Sequence, residues 1–514
     1  MLIASLLSAL FLAVYAQRIA PTKPARKPSA QPETIEAKSV MRADQPRPFT
    51  RPLPQEELVA LESPELVAEI GARSGAVRGV TLKRFFKEPG GVALKVSGEA
   101  ALVRFFAGAE EIEWNVAQKS STSVALDGLD VQGNNYHITY KLLSDNPLLY
   151  IELYRKIGSG KNPVVLVGSW VKADVLSDRY NQLEALVLST RDDKKPIYRL
   201  YRGPTRTDRD LSKDVPRGTV LLSLSERYFC ESIRPNGVAA SSLTPISPGA
   251  IGAVVKLSPQ QDAQGERYSS TVYFGPRDYF YMKQAGFHDA FPVGTLGQIG
   301  LVLLMLLRGL AGATRNYGLA IIAFSGLITM TLSPFTLLSF RSMKKMQQLK
   351  PHMDKILAQH KDDPKKANQE MFTLYKTHRV SPLSGCLPMI LQIPIFIALF
   401  QAISHFVDLR GKSFLWIADL SLPDRLARLP ISLPILGSEL NALPIIMAIV
   451  MFVQTKFSTR ATGTDQTNPS TQMMSGPLMP LLFGVMFYQF PSGLVLYWLT
   501  NSLMSLLVYR LAAR

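Results

Sequence analysis

Ser325, Thr329 and Ser333 recur at steps of four inside an apolar run that contains no Lys, Arg, Asp or Glu. On a helix that spacing puts the three hydroxyls on one face. Gln392 lies in a second such run, Gln454 and Thr455 near the end of a third, Gln489 in a fourth, and Thr500, Asn501 and Ser505 in a fifth. These groups donate and accept hydrogen bonds but carry no charge, so the chemistry they offer is hydration and hydrogen bonding. A helix needs roughly 20 apolar residues to cross a bilayer. Polar groups within it cost free energy unless they meet each other or water. An isolated Ser or Thr can bond back to a carbonyl of its own helix. Three on one stripe, with Thr336 nearby, argue instead for a shared semi-polar cavity, and the Gln392 amide cannot be satisfied so locally.

The elements that must position these residues are five spans, over residues 317–340, 381–407, 440–457, 473–490 and 491–510. The third is short, about 27 Å as a helix, which either thins the bilayer or reflects tilted packing. Pro388, Pro394, Pro444 and Pro480 read as kinks or span boundaries. Residues 341–380 hold ten Lys or Arg against four acids, a bias that places this loop in the cytoplasm. Apolar residues recur there with helical spacing on both sides of Asp362-Asp363-Pro364, where Asp363 can cap and Pro364 can start a helix. The reading is a basic helical hairpin carrying Lys344, Lys345, Lys350, Lys365 and Lys366. Residues 408–439 balance four basic against four acidic residues and suit the outside; residues 458–472 suit the inside.

The first half has a different texture. Residues 1–17 are apolar and read as a signal peptide or an uncleaved span, and residues 18–60 are a Pro-rich tether. Residues 61–290 show short alternating runs such as Tyr136-His-Ile-Thr-Tyr, separated by turn signals such as Asp127-Gly128. That pattern predicts an antiparallel β-sandwich. His137, Trp114 and Trp170 form no catalytic constellation within it. Residues 291–316 are short in apolar content and rich in glycine, which suits an interfacial amphipathic segment. The formal charge of +17 fits a basic face toward anionic lipid better than nucleic-acid binding, given the spans. Two cysteines, Cys230 and Cys386, make no disulfide framework, and no metal or nucleotide motif is present in the sequence. No cofactor and no enzymatic activity are expected.

Ser381-Pro-Leu-Ser-Gly-Cys-Leu-Pro-Met-Ile-Leu-Gln-Ile-Pro-Ile-Phe-Ile-Ala-Leu-Phe400 resembles the third span of the YidC/Oxa/Alb membrane-protein insertases, and Phe490-Pro-Ser-Gly-Leu-Val-Leu-Tyr-Trp-Leu-Thr-Asn501 resembles their last. Leu415-Trp-Ile-Ala-Asp-Leu420, Tyr317-Gly-Leu-Ala-Ile-Ile and the order of hairpin and spans agree with the same family. Phe274-Gly-Pro-Arg-Asp-Tyr279 looks like the motif that ends the large periplasmic domain of Gram-negative members.

The resemblance implies a multi-pass protein of a Gram-negative inner membrane, with residues 18–290 periplasmic and the C-terminus cytoplasmic. It implies insertion and chaperoning of nascent membrane proteins, alone or beside the Sec translocon, without nucleotide hydrolysis. Ribosome or targeting factors would meet the basic hairpin, and anionic lipids its surroundings. Ser325, Thr329, Ser333, Gln392 and Thr500 would line a hydrophilic groove, with Tyr497 and Trp498 on a hydrophobic slide for the substrate. One departure stands out: such members generally carry an Arg where this chain has Thr329. A neutral groove is therefore expected, relying on hydration. A degenerate family member and a polar-groove transporter or channel are the alternatives; an intramembrane enzyme would need a constellation that His405 alone does not supply.

Overall fold

A computed structural model describes residues 53–513 apart from 87–91, 98–100, 109, 144–145, 157–162, 172–182, 190–196, 203–217, 238, 248–249, 263–264, 361–362, 379, 381–386, 434–436 and 463–477. The expected N-terminal span, most of the Pro-rich tether, Cys386 and most of the loop at 458–472 lie outside the described residues. The chain divides into two units, Met1–Pro292 and Val293–Arg514.

Among its described residues the first unit holds two large sheets of 9 and 10 strands, and every strand pair in them is antiparallel. Alternation of side chains explains the burial. In Asn135–Leu142 the residues Tyr136, Ile138, Tyr140 and Leu142 are buried, and in its neighbour Leu148–Lys156 so are Leu149, Ile151, Leu153 and Arg155. The central strand Val103–Ala107 of the other sheet is buried along its whole length, as a strand covered on both faces must be. The sheets pack face to face. Tyr140 donates its hydroxyl proton to the Gly75 carbonyl beside the opposite sheet. A side chain at Gly168 would meet Ile233 Cδ1 at 2.7 Å, so glycine sets the spacing there. The unit closes with a short helix, α1 (Tyr279–Gln284), capped by Asp278.

The second unit is helical: α2 (Thr295–Thr314), α3 (Tyr317–Gln348), α4 (Lys350–Gln359), α5 (Pro364–Thr377), α6 (Leu387–Ser404), α7 (Ala442–Thr462), α8 (Leu478–Phe487) and α9 (Ser492–Ala513). By length and composition, α2 and α3 contain stretches long and apolar enough to cross a membrane; α6 to α9 contain shorter apolar stretches. Residues 291–316, expected as an interfacial amphipathic segment, contain the 20-residue helix α2. Glycine lowers its helix propensity, but Gly300 lets α2 lie against α6, since a Cβ there would sit 3.0 Å from the Ala398 carbonyl oxygen. Likewise α7 runs past Lys456 to Thr462, because a helix does not stop where apolar residues do. Asp363 accepts hydrogen bonds from the Lys365 and Lys366 amides, and Pro364 occupies the first turn of α5. Tyr375 and Met353, with His360 and Glu370, join α5 to α4.

Three helices begin beside the loop between α6 and α7. Leu443 in the first turn of α7 donates its amide to Asp424 at 2.9 Å. Ser492 and Gly493, opening α9, donate to the Leu422 and Leu420 carbonyls, each at 2.8 Å. Gly318 in the first turn of α3 lies against Phe414. These loop contacts set the height of α3, α7 and α9, and hence the register of their polar side chains.

A candidate intramembrane site

Helices α3 and α9 run in the same direction and pack along each other. Ser325 Oγ lies 2.8 Å from the Ile321 carbonyl oxygen and 3.3 Å from that of Tyr497. One turn on, Thr329 Oγ1 lies 2.8 Å from the Ser325 carbonyl oxygen and 2.8 Å from Asn501 Oδ1. Each hydroxyl has one proton and serves one acceptor at a time. Residues 325 and 329 meet 497 and 501, so the four-residue step on one helix matches that on the other. A third helix joins where Gln392 Nε2 donates to the Tyr497 hydroxyl at 2.6 Å. Ser325 and Thr329 are buried; Gln392 and Asn501 are half-buried. The result is an uncharged hydrogen-bonded seam linking α3, α6 and α9.

The predicted residues therefore divide. Ser325, Thr329 and Gln392 come together in the seam. Ser333 bonds back to Met330 at 2.8 Å, and Thr336 to Leu332 at 3.3 Å, the local satisfaction open to any helical hydroxyl. Thr500 is buried on α9 but takes no part in the seam contacts described here. Tyr497, expected on a slide, has no exposed surface; its ring packs 6.0 Å from Phe324 and its hydroxyl is the acceptor for Gln392. Trp498 is half-buried in an aromatic cluster, with ring centroids 5.1 Å from Phe396, 5.4 Å from Phe487 and 5.6 Å from Phe483. Asn501, a polar residue of the fifth run outside the expected groove set, is the partner of Thr329. Its signal was the four-residue step from Tyr497, readable only with the partner helix in hand.

Charge stands at the margin of the seam. Arg308 Nε on α2 donates to Asp408 Oδ2 at 2.6 Å, with the guanidinium 5.0 Å from the Phe406 ring centre. The Tyr317 hydroxyl, at the start of α3, lies 3.4 Å from the same carboxylate oxygen. Lys365 and Lys366 are exposed on α5, whereas Lys344 and Lys345, expected in the hairpin, are exposed near the C-terminal end of α3, which continues past the expected end at 340 to Gln348; the side chain of Lys350 lies outside the described residues. Among the described residues no group of three or more His, Cys, Asp or Glu could hold a metal ion. In the β unit, His137 pairs with Asp127 at 2.7 Å beside an open hollow of about 390 Å³, while Trp114 is buried as core.

Residues 309–514 match the family model described as 60Kd inner membrane protein. Proteins named membrane protein insertase YidC are similar in sequence. That of Endomicrobium trichonymphae is 35% identical over 295 residues, covering 55% of this chain and 54% of the relative. That of Geotalea daltonii is 30% identical over 368 residues, covering 70% of this chain and 60% of the relative. The chain spans about half the length of the curated relatives it matches. A crystal structure of an active YidC insertase with its first transmembrane domain resolved aligns over 99% of both chains, at 17% identity and a TM-score of 0.40.

Proposed function

Through residues 309–514 the chain belongs to the 60Kd inner membrane protein family, and we propose that it is a membrane protein insertase and chaperone that works through an uncharged polar seam. The observation that carries this reading is the contact set Ser325–Tyr497, Thr329–Asn501 and Gln392–Tyr497 within apolar helices. Side chains that hydrogen-bond across helices can exchange those bonds for water or for a substrate's polar tail when α3 and α9 part. Such exchange lowers the cost of moving that tail partway into the bilayer. The substrate's apolar segment then moves into lipid, with about 25 cal/mol gained per Å² withdrawn from water. Exposed apolar side chains on α3, α7 and α8, such as Met330, Ile449 and Leu481, offer a greasy path. The aromatic cluster around Trp498 stiffens the wall beside it.

In this reading α3, α6, α7, α8 and α9 are the five spans and α2 lies along the interface. The β unit is periplasmic, and the basic hairpin α4–α5 faces the cytoplasm. There it meets ribosome, targeting factor or nascent chain, and the Sec translocon is a second partner. No nucleotide is hydrolysed; substrate hydrophobicity supplies the driving force. The test is depletion complementation, paired with insertion of a single-span substrate into proteoliposomes holding the purified chain. Insertion above protein-free vesicles is expected. Absence of both rescue and insertion refutes the proposal in favour of a degenerate member.

A further inference from the structure

In the loop between α6 and α7, one residue and its backbone conformation disagree. Phe414 and Ile417 exchange two main-chain hydrogen bonds of 2.9 Å each, closing a two-residue turn on Leu415 and Trp416. Leu415 has φ +52°. This is the left-handed region, which glycine fills most readily at the first position of such turns because a Cβ there crowds the backbone. Leucine recovers nothing by packing: its side chain is 74% exposed, and the neighbouring Trp416 is 42% exposed. Phe414 and Ile417, by contrast, are buried and hold the turn in place. A strained, bulky and outward-facing apolar residue points to a partner beyond the fold.

The position of the turn identifies that partner. A Cβ on Gly318 would fall 2.0 Å from Phe414 Cγ, so Phe414 rests on the first turn of α3. The Trp416 indole N–H donates to Asp424 Oδ2 at 3.3 Å, and the same oxygen accepts the Leu443 amide in the first turn of α7. The following residues, Leu420 and Leu422, receive the first amides of α9. The turn is therefore level with the start of three apolar helices. That is the depth at which spans leave the headgroup region, where an indole with a bonded N–H and an apolar ring is favoured. Exposed Lys412 stands close by in the chain, suited to lipid phosphate.

We propose that the Leu415–Trp416 turn is a membrane-interface anchor whose partner is the bilayer itself, a proposal that rests on reading α3, α7 and α9 as spans. Leu415 enters the acyl boundary, Trp416 lies at the level of the lipid carbonyls, and the pair fixes the depth at which the three helices begin.

The test uses the full chain with Trp114→Phe, Trp170→Phe and Trp498→Phe, leaving Trp416 as the fluorophore, in phosphatidylcholine vesicles. The lipids carry bromine at either a shallow or a deep acyl position. Shallow bromines should quench the emission most, deep bromines less, and aqueous acrylamide little. Leu415→Gly relieves the backbone and should leave the circular dichroism unchanged while weakening the bromine quenching. Trp416 open to acrylamide and insensitive to bromine overturns the proposal. Insensitivity to both quenchers also overturns it, because a protein partner would then cover the turn. A second protein with Trp416→Phe and Met330→Trp, at an exposed site on α3, reports on the span. If that fluorophore also ignores the bromines, the membrane-spanning reading falls and the anchor falls with it. If it alone is quenched, only the anchor is refuted.

Discussion

Thr329→Val removes one hydroxyl and keeps the side-chain shape, so it isolates the hydrogen bonding of the seam. The hydroxyl lies 2.8 Å from both Asn501 Oδ1 and the Ser325 carbonyl oxygen. Thr329 is 7% exposed, which leaves little room for water to replace it. Hydrogen bonds between membrane helices contribute about 0.6 kcal/mol on average and about 1.7 at most, because the unfolded chain in lipid also finds partners. Asn501 is only half-buried and can turn its amide elsewhere. The expected loss is therefore about 1 kcal/mol, roughly fivefold in the folding equilibrium. The assay is a double-mutant cycle of Thr329→Val and Asn501→Leu, unfolded in mixed micelles by increasing SDS and followed by far-UV circular dichroism. A coupling energy of about 0.6–1.7 kcal/mol is expected. Additivity within about 0.3 kcal/mol means that the two side chains do not support each other, and the reasoning about the seam fails.

Gly318→Ala forces Phe414 from the first turn of α3, since the new Cβ would lie 2.0 Å from its ring. The cost should be about 1–3 kcal/mol in the same unfolding assay, and an unchanged midpoint contradicts the contact. Arg308→Ala removes the cation beside the Asp408 carboxylate, which is 17% exposed as a side chain. It should lower stability by about 1–3 kcal/mol, with partial recovery on adding Asp408→Asn; no recovery refutes the ion pair as the cause. In the β unit, both carboxyl oxygens of Glu231 are buried without a hydrogen-bond partner among the described residues, and burial pushes its pKa well above the usual carboxylate range. The folded state thus keeps a proton that the unfolded chain releases, and stability falls as pH rises from about 4.5 toward the folded pKa. Glu231→Gln should match the parent near pH 4 and gain on it above, by at most about 1.4 kcal/mol per pH unit. Scanning calorimetry of the full chain checks this, and a pH-independent difference refutes it.

Local chemistry was legible in the sequence. Asp363-Pro364 reads as a helix start because cap and proline act within one turn, and Asp363 does accept the Lys365 and Lys366 amides. The alternation around Tyr136, Ile138 and Tyr140 reads as a strand because its period is set by the backbone. The polarity of Ser325, Thr329 and Gln392 was equally visible, but their partners were not. Asn501 is 172 residues from Thr329, and no periodicity within one helix reports which face of another helix it meets. Tyr497 looked like an aromatic for a substrate to slide past. Its burial follows from packing against Phe324 and from the Gln392 bond, both of them long-range. The glycines of α2 entered the sequence reading only as a sign of an interfacial segment; that Gly300 makes room for the α6 backbone is a long-range contact that no local pattern reports.

The most direct test of the central claim compares the parent chain with Thr329→Arg in proteoliposomes. The readout is insertion of one single-span substrate with a neutral polar tail and one with an acidic tail. An uncharged seam that works by exchanging hydrogen bonds predicts that the parent inserts both and that Thr329→Arg, which removes the bond to Asn501 and crowds a buried position, inserts neither of them better than the parent. Insertion that depends wholly on the introduced Arg contradicts it.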